Sequence, residues 1–308
     1  MSRSESVAAA FRAACRDELE SPKPGNVHLF APGHRMEAQD FLDSAEAAAP
    51  AIAAADLSVG ARILAAVEAT KARVGQNTNL GILLLCAPLA HAALCFPAAP
   101  LREALERALA GLTREDAGLA FRAIALASPA GLGSAPEHDV KAPARVTLLE
   151  AMRVAAPHDR IAFQYASGFG DIFGLGFSEF AAARQAGAEP WLATLRVYLR
   201  FFSTFADSHI VRKYGAEAAE RTRREAVEFV RKQGDWSEPE RVRADALAFD
   251  AALKARGLNP GTSADLTVAT LFAARLGWPQ ARLSGLTKAG GSPEWPICDA
   301  SSDSSRSP

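Results

Sequence analysis

The sequence predicts an all-α protein, a single multi-helix bundle domain interrupted by one long irregular loop. Alanine recurs throughout, β-branched residues are sparse in the long segments, and apolar residues return at steps of three and four. The chain has 308 residues, 49% of them apolar, enough for a core that needs no disulfide or metal staple.

The elements follow in order. Residues 4–19 carry a helical pattern in which Arg12 and Arg16, with Arg3 and Glu5 nearby, break any apolar run. A signal-peptide core of ~7–15 apolar residues is therefore absent there. Residues 37–54 and 58–74 come next, the second with Ser58 as N-cap. Residues 78–96 are strongly apolar from 81 onward but contain Pro88 and His91. They fall short of the ~20 residues a membrane span requires and read as a buried core helix. Residues 100–110 and 113–126 follow, with Thr113 and Asp116 spaced as a capping box.

Residues 128–146 hold Pro129, Pro136, Pro143, Gly131 and Gly133, so they cannot sustain a long helix, and a loop of this length is often functional. Helical patterns resume at 147–155, 158–173, 177–185, 190–206, 208–213, 216–232, 238–256 and 263–276. The last is expected to start at Thr262 or Ser263, with Asp265 in its first turn. From residue 290 the chain is polar and low in complexity, so residues 1–289 are expected to form the catalytic domain and 290–308 a disordered tail. No 20–50-residue repeat is present.

Lys and Arg number 34 against 35 Asp and Glu, a net charge of -1 that offers no overall attraction to nucleic acid or an anionic membrane. Any anionic ligand must be held by a local cluster. Cys15, Cys86, Cys95 and Cys298 form no C-x-x-C pair, which fits a reducing cytoplasm. The alanine-rich helix faces are compatible with a homo-oligomer.

Five polar clusters stand out. In residues 21–28, Ser-Pro-Lys-Pro-Gly-Asn-Val-His, two prolines extend the backbone and Gly25 permits a left-handed turn, so Lys23 and His28 can be presented at little entropic cost; an ordinary Pro-Gly-Asn turn explains the same residues. His34, and then Asp40 and Asp43 on the next helix, can converge on the same place. In Gly75-Gln76-Asn77-Thr78-Asn79-Leu80-Gly81 a helix start offers N–H donors and a positive dipole end to phosphate, while an N-cap at Asn77 or Thr78 is the competing explanation. Glu137-His138-Asp139 and His158-Asp159 lack metal spacing, but Asp159, Arg160, Gln164, Gly168 and Asp171 follow approximate helical steps, a polar face or a solvated one. Asp207, His209, Arg212 and Lys213 emerge from an aromatic helix, and a cap at Asp207 accounts for only part of that set. Asn259-Pro260-Gly261-Thr262-Ser263-Ala264-Asp265-Leu266 is again a glycine-bearing turn into a helix.

Residues 21–28, Phe41-x-x-Ser44, Asn77-Thr78-x-x-Gly81 and Asn259-Pro-Gly-x-Ser-Ala-Asp-Leu266, in this order, resemble the ATP:dephospho-coenzyme A triphosphoribosyltransferases, also called triphosphoribosyl-dephospho-CoA synthases. The resemblance spans most of the chain. It implies an all-α fold and a reaction in which ATP loses adenine while its triphosphoribosyl group joins the ribose 2′-hydroxyl of 3′-dephospho-CoA. The product is a prosthetic-group precursor. The family's central turn reads Gly-Val-Asn-Thr-His-Lys-Gly, whereas this chain replaces the imidazole and ammonium with Asn79 and Leu80. That form, with Glu137-His138-Asp139-Val140, is similar to a subgroup linked to methanopterin-type cofactor synthesis. A ribosyl-transfer or nucleotide-dependent step on a cofactor precursor of that type is thus the alternative activity. A non-catalytic nucleotide-binding helical protein is the alternative of another class.

Breaking an N-glycosidic bond builds positive charge at the ribose carbon, so the implied chemistry needs carboxylate there, donors on the phosphates and a base for the acceptor hydroxyl. Phosphate contacts are expected from Lys23, Asn26, Asn77, Thr78, Asn79, Gly81 and Arg212. Catalysis is assigned to His28, Asp43, Asp207 and His209, with His28 or His209 moving the proton. Mg²⁺, arriving as Mg-ATP, is expected on Asp171, Asp207 and Asp265. This composite site requires Asp207 and Asp265 to lie near His28.

Overall fold

A computed structural model describes residues 1–128 and 140–277. Within these residues the chain forms fourteen α-helices and no strand, so the fold is all-α. They are α1 (Arg3–Leu19), α2 (Ala38–Ala53), α3 (Val59–Val74), α4 (Leu80–Cys95), α5 (Leu101–Ala110), α6 (Arg114–Ala127) and α7 (Leu148–Ala155). The second half contributes α8 (Arg160–Ala166), α9 (Phe177–Gln185), α10 (Pro190–Thr204), α11 (Ser208–Tyr214), α12 (Ala216–Gln233), α13 (Pro239–Ala255) and α14 (Gly261–Gly277). Residues 129–139, with Glu137-His138-Asp139, and the 290–308 tail lie outside the described residues.

The expected caps form. Ser58 Oγ accepts from Ala61 N, and Thr113 and Asp116 bond each other reciprocally. The same spacing yields capping boxes at Ser2 with Glu5 and at Thr147 with Glu150. Asp116 also accepts from Ser58 Oγ at 2.6 Å and Gly60 N at 2.8 Å, which locks α3 to α6. Gly60 is required there, because a Cβ would stand 2.5 Å from the Asp116 backbone. Arg62, fully buried, donates to the carbonyls of Ala51, Ile52 and Leu57 and so satisfies the end of α2.

Two expectations need correction. The predicted helix 158–173 breaks after Ala166: Gly168 and Phe169 take φ of +63° and +61°, and the chain resumes as a π-helical turn, Ile172–Gly176, running into α9. The last helix starts at Gly261 rather than at 263, because Pro260 is tolerated just ahead of a first turn that lacks its own acceptors.

Helices α4 and α14 are apolar on nearly every face and pack on each other in the interior, with α1, α5 and α8 around them. One core joins α1 to α8 with most of α14; a second gathers Leu192, Tyr198, Phe202, Ile210, Val242 and Leu253 between α10, α11, α12 and α13. Helix α10 serves both, through Val197 and Phe201 on one face and Tyr198 and Phe202 on the other. In α14, Ala264 belongs to one core and Leu266 to the other. Buried polar side chains collect at this junction.

Candidate active site

Residues 21–28 leave α1 and are buried without exception. Gly25 takes φ +81°, and a Cβ on it would lie 2.9 Å from Pro260 Cδ, so glycine lets this loop press on the turn before α14. Asn26 Nδ2 donates to Asn259 Oδ1 at 2.8 Å, and Tyr198 Oη donates to the Pro24 carbonyl at 2.6 Å. The hub below the loop is Asp250 of α13. Its Oδ1 accepts from Gly25 N at 2.8 Å; its Oδ2 lies 2.9 Å from Lys254 Nζ and 3.3 Å from His28 Nε2. Burial raises the proton affinity of Asp250, but His28 and Lys254 outweigh it and hold the carboxyl below its ordinary range.

This arrangement engages Lys23 and His28 with partners inside the protein. Lys23 is 0% exposed, donates to the Val27 carbonyl at 2.6 Å and pairs with Glu18 at 3.0 Å. Burial pushes both members of that pair toward neutrality, each partly restored by the other. Lys23 clips the loop to α1 and is not presented to a phosphate. His28 is likewise spent: Nδ1 accepts from Phe30 N at 3.2 Å, which leaves the proton on Nε2 facing Asp250, although that contact is poorly aligned as a hydrogen bond.

Asp207, His209 and Asp265 gather about the 259–261 turn and the start of α14. Asp207 caps α11 through His209 N and Ile210 N, and its Oδ2 accepts from Ser263 N and Ser263 Oγ, both at 2.8 Å. Asp265, one turn into α14, reaches α4: a Cβ on Gly81 would stand 2.0 Å from Asp265 Oδ2. Asp265 is half-buried and accepts no hydrogen bond from a described side chain or N–H. Burial pushes its pKa well above the carboxylate range, with Asp207, Glu18 and Asp159 adding to the shift and Arg212 opposing it. Asp207 is raised too, chiefly by burial and against the Ser263 and His209 donors. Arg212 Nη1 pairs with Asp159 Oδ2 at 2.5 Å. The His209 ring packs over Gly261, and burial, then Arg212 and Lys213, push its pKa down to about 4, so it is neutral at pH 7.

The four sequence motifs therefore meet. Asn26 bonds Asn259, Gly81 receives Asp265, and Ser44 Oγ lies 2.6 Å from Thr78 Oγ1. The central turn itself has become structural: Asn77 Oδ1 accepts from Leu80 N at 3.2 Å, Asn79 Nδ2 donates to Thr70 Oγ1 at 3.2 Å, and Leu80 is buried in the first core. No cation stands where the family's turn has lysine. Arg212, with Lys213 beside it, is a positive group that acts on both Asp207 and Asp265.

Two expected aspartates are engaged elsewhere. Asp171 makes a bidentate pair with Arg160 at 2.7 and 2.8 Å and accepts from Gln164 Nε2 at 2.6 Å. Asp43 pairs with Arg73 at 3.1 Å and accepts from Gln39. Among the described residues no three His, Cys, Asp or Glu side chains are grouped to hold a metal ion. The expected Asp171, Asp207 and Asp265 set is thus not assembled: hydrogen bonds occupy the first two, and Asp265 alone keeps free oxygens.

Glu18, Asp250 and Lys254 were not singled out by sequence. Their signal was position: Glu18 continues the buried stripe Phe11, Cys15, and Asp250 sits at helical steps from Val242, Ala246 and Leu253. A carboxylate on an apolar stripe marks a buried partner. Two surface concavities, one between α12 and α13 around Phe229 and Phe249, the other beside α1 and Leu101, contain no motif residue. Converging chemistry, not hollow size, locates the site.

Buried carboxylates, an arginine, a neutral imidazole and glycine-bearing helix starts thus come together in an all-α frame. The sequence profile of the ATP:dephospho-CoA triphosphoribosyl transferases matches residues 4–283, and the chain belongs to that family. It is a transferase of the type that moves the triphosphoribosyl group of ATP to dephospho-CoA for prosthetic-group synthesis. The chain is similar to a crystal structure from Archaeoglobus fulgidus that carries the provisional name triphosphoribosyl-dephospho-CoA synthase. The two share 25% identity and superpose with a TM-score of 0.58, over 76% of this chain and 97% of that one. No protein of curated function matches the chain. Among the described residues no helix is long and apolar enough to cross a membrane.

Proposed function

We propose that the chain joins C1′ of the ATP ribose to the 2′-hydroxyl of dephospho-CoA at the Gly81–Asp265 junction and releases adenine. The C1′–N9 bond breaks with its electron pair leaving on adenine, a C1′–O bond forms, and the hydroxyl proton is passed on so that adenine departs neutral. The observation that carries this reading is Asp265: a half-buried carboxylate without a hydrogen-bond donor among the described residues, set against a helix start and backed by Asp207 and Asp159. Such a group is costly unless a cation compensates it. The positive charge that develops at C1′ supplies one such cation.

The residues also fit a magnesium ion that arrives on the triphosphate, since Asp265 has the free oxygens to hold it while ATP provides the rest. Bound there, Mg²⁺ would offset phosphate charge. Arg212 turns from Asp159 to the phosphates, and the Gly81 N–H at the start of α4 adds a neutral donor. His209 stays neutral and hydrogen-bonds a ribose hydroxyl. The free thiols of Cys15, Cys86 and Cys95 suit a reducing cytoplasm. Purified protein with Mg²⁺, ATP and dephospho-CoA should yield adenine and the triphosphoribosyl conjugate in equal amounts; absence of adenine sinks the proposal.

Buried Leu80 favours a second reading, in which the acceptor is a methanopterin-type precursor carrying fewer phosphates for the protein to hold. A deletion strain should then accumulate that precursor, and unchanged cofactor levels would rule this reading out.

A further inference from the structure

Transfer to a hydroxyl needs a base, and among the described residues the candidate histidines reduce by geometry. His28 has one nitrogen bonded to Phe30 N and the other turned to Asp250. His91 lies near the far end of α4 beside Cys95, and His158 is exposed in the turn before α8. His209 faces the site, but its ring accepts and donates no hydrogen bond among the described residues. Its pKa of about 4 makes it a weak base.

His34 is different. Residues 33–36 form a tight turn, with Met36 N donating to the Gly33 carbonyl at 2.9 Å and Gly33 N donating to the Met36 carbonyl at 3.1 Å. Its two central residues, His34 and Arg35, take φ of +55° and +63°. Both being left-handed, this is a turn for which Asn-Gly is the ordinary choice. A His-Arg pair there is strained, and such strain persists where the position of a side chain matters. His34 Nε2 lies 2.8 Å from the Gly25 carbonyl, which fixes the proton on Nε2 and leaves the lone pair on Nδ1. Gly25 packs on Pro260, and the next residue, Gly261, carries the His209 ring, so the two imidazoles flank one turn. His34 is half-buried, and among the described residues only its Nε2 is hydrogen-bonded.

We infer that His34 is the base that takes the proton from the attacking acceptor hydroxyl, an inference that rests on the transfer reading above. The O–H bond breaks toward Nδ1 as the C1′–O bond forms; the imidazolium then returns its proton to solvent, and the departing adenine takes one up. A backbone carbonyl orients the ring in the manner of the third member of a catalytic triad. The titratable groups facing His34 are Lys213 and His209 from α11 and Lys254 and Asp250 from α13. With burial, the lysines lower its proton affinity, while the Gly25 carbonyl and Asp250 raise it.

The test uses the full chain with Mg²⁺, ATP and dephospho-CoA. His34→Asn tolerates the left-handed backbone and keeps an amide donor for Gly25. It should retain the melting temperature and ATP affinity, lose on the order of 100-fold or more in kcat, and lose the acid limb of the kcat–pH profile. A normal kcat, or a loss that leaves the acid limb in place, overturns the inference. Should the variant not fold, wild-type protein decides: saturating dephospho-CoA should protect His34 from diethyl pyrocarbonate, read by peptide mass mapping, and unchanged labelling overturns the role. Wild-type adenine release reports the transfer reading separately, so the two failures are distinguishable.

Discussion

Replacing Gly81 by alanine tests the junction on which the site depends. In most helices this change stabilises by about 0.5–1 kcal/mol, because alanine has less backbone freedom to lose. Here the new Cβ would stand 2.0 Å from Asp265 Oδ2 and 2.8 Å from Ile161 Cδ1, neither of which is at the end of a long flexible chain. Overpacking of this kind costs about 1–3 kcal/mol, so the net effect is a destabilisation of up to about 2.5 kcal/mol. Gly118, in α6, is the control, since a Cβ there meets nothing within 4 Å. Gly118→Ala should therefore stabilise while Gly81→Ala destabilises. Urea denaturation gives both values, compared at equal m. Because Asp265 must shift, Gly81→Ala should also lower kcat on the order of 100-fold. A Gly81→Ala protein that is more stable than wild type and fully active would refute the placement of Asp265.

Three further substitutions separate structural from functional charge. Asp250→Asn should cost about 3–5 kcal/mol at pH 7 by stranding His28 and Lys254. Since the folded pKa of Asp250 is depressed, its contribution is present above the unfolded value of about 3.9 and lost as pH falls through the folded one. The acid limb of stability should therefore flatten in the variant, as followed by urea melts between neutral pH and pH below about 4. Lys23→Met should destabilise by about 3 kcal/mol by isolating Glu18, and Glu18→Met in the same chain should recover much of that loss. Weakened ATP binding without loss of stability would instead make Lys23 a ligand residue. Arg212→Ala should weaken ATP binding by about 1.5–3 kcal/mol, on the order of 10- to 100-fold in Kd by calorimetry. By NMR, the His209 pKa should rise from about 4 in the same variant, since a charge that depresses it is gone.

The helical fold was legible because periodicity and caps are local: Ser58 and Thr113 form the caps their spacing predicts. The break at 167–171 was not, because a left-handed Phe169 has no local sequence signal, and the pairing of Asp171 with Arg160 across the break is tertiary. The four motifs showed which segments matter, and Asn26–Asn259, Ser44–Thr78 and Gly81–Asp265 confirm that they converge. Which atoms remain free is a tertiary property. Lys23 and His28 are the most reactive-looking residues of the first motif, yet partners 5 and 222 positions away, Glu18 and Asp250, consume them. His34 was legible only as a side chain able to converge on the first motif. The role proposed for it rests on the turn that aims it.

The most direct measurement of the central claim is single-turnover transfer by Asp265→Asn, with adenine and conjugate quantified together. The site described here requires wild type to form one conjugate for each adenine. It requires the variant, still folded and still binding ATP, to be slower by on the order of 100-fold or more. A variant that turns over at the wild-type rate, or wild-type adenine release with no conjugate, would contradict it.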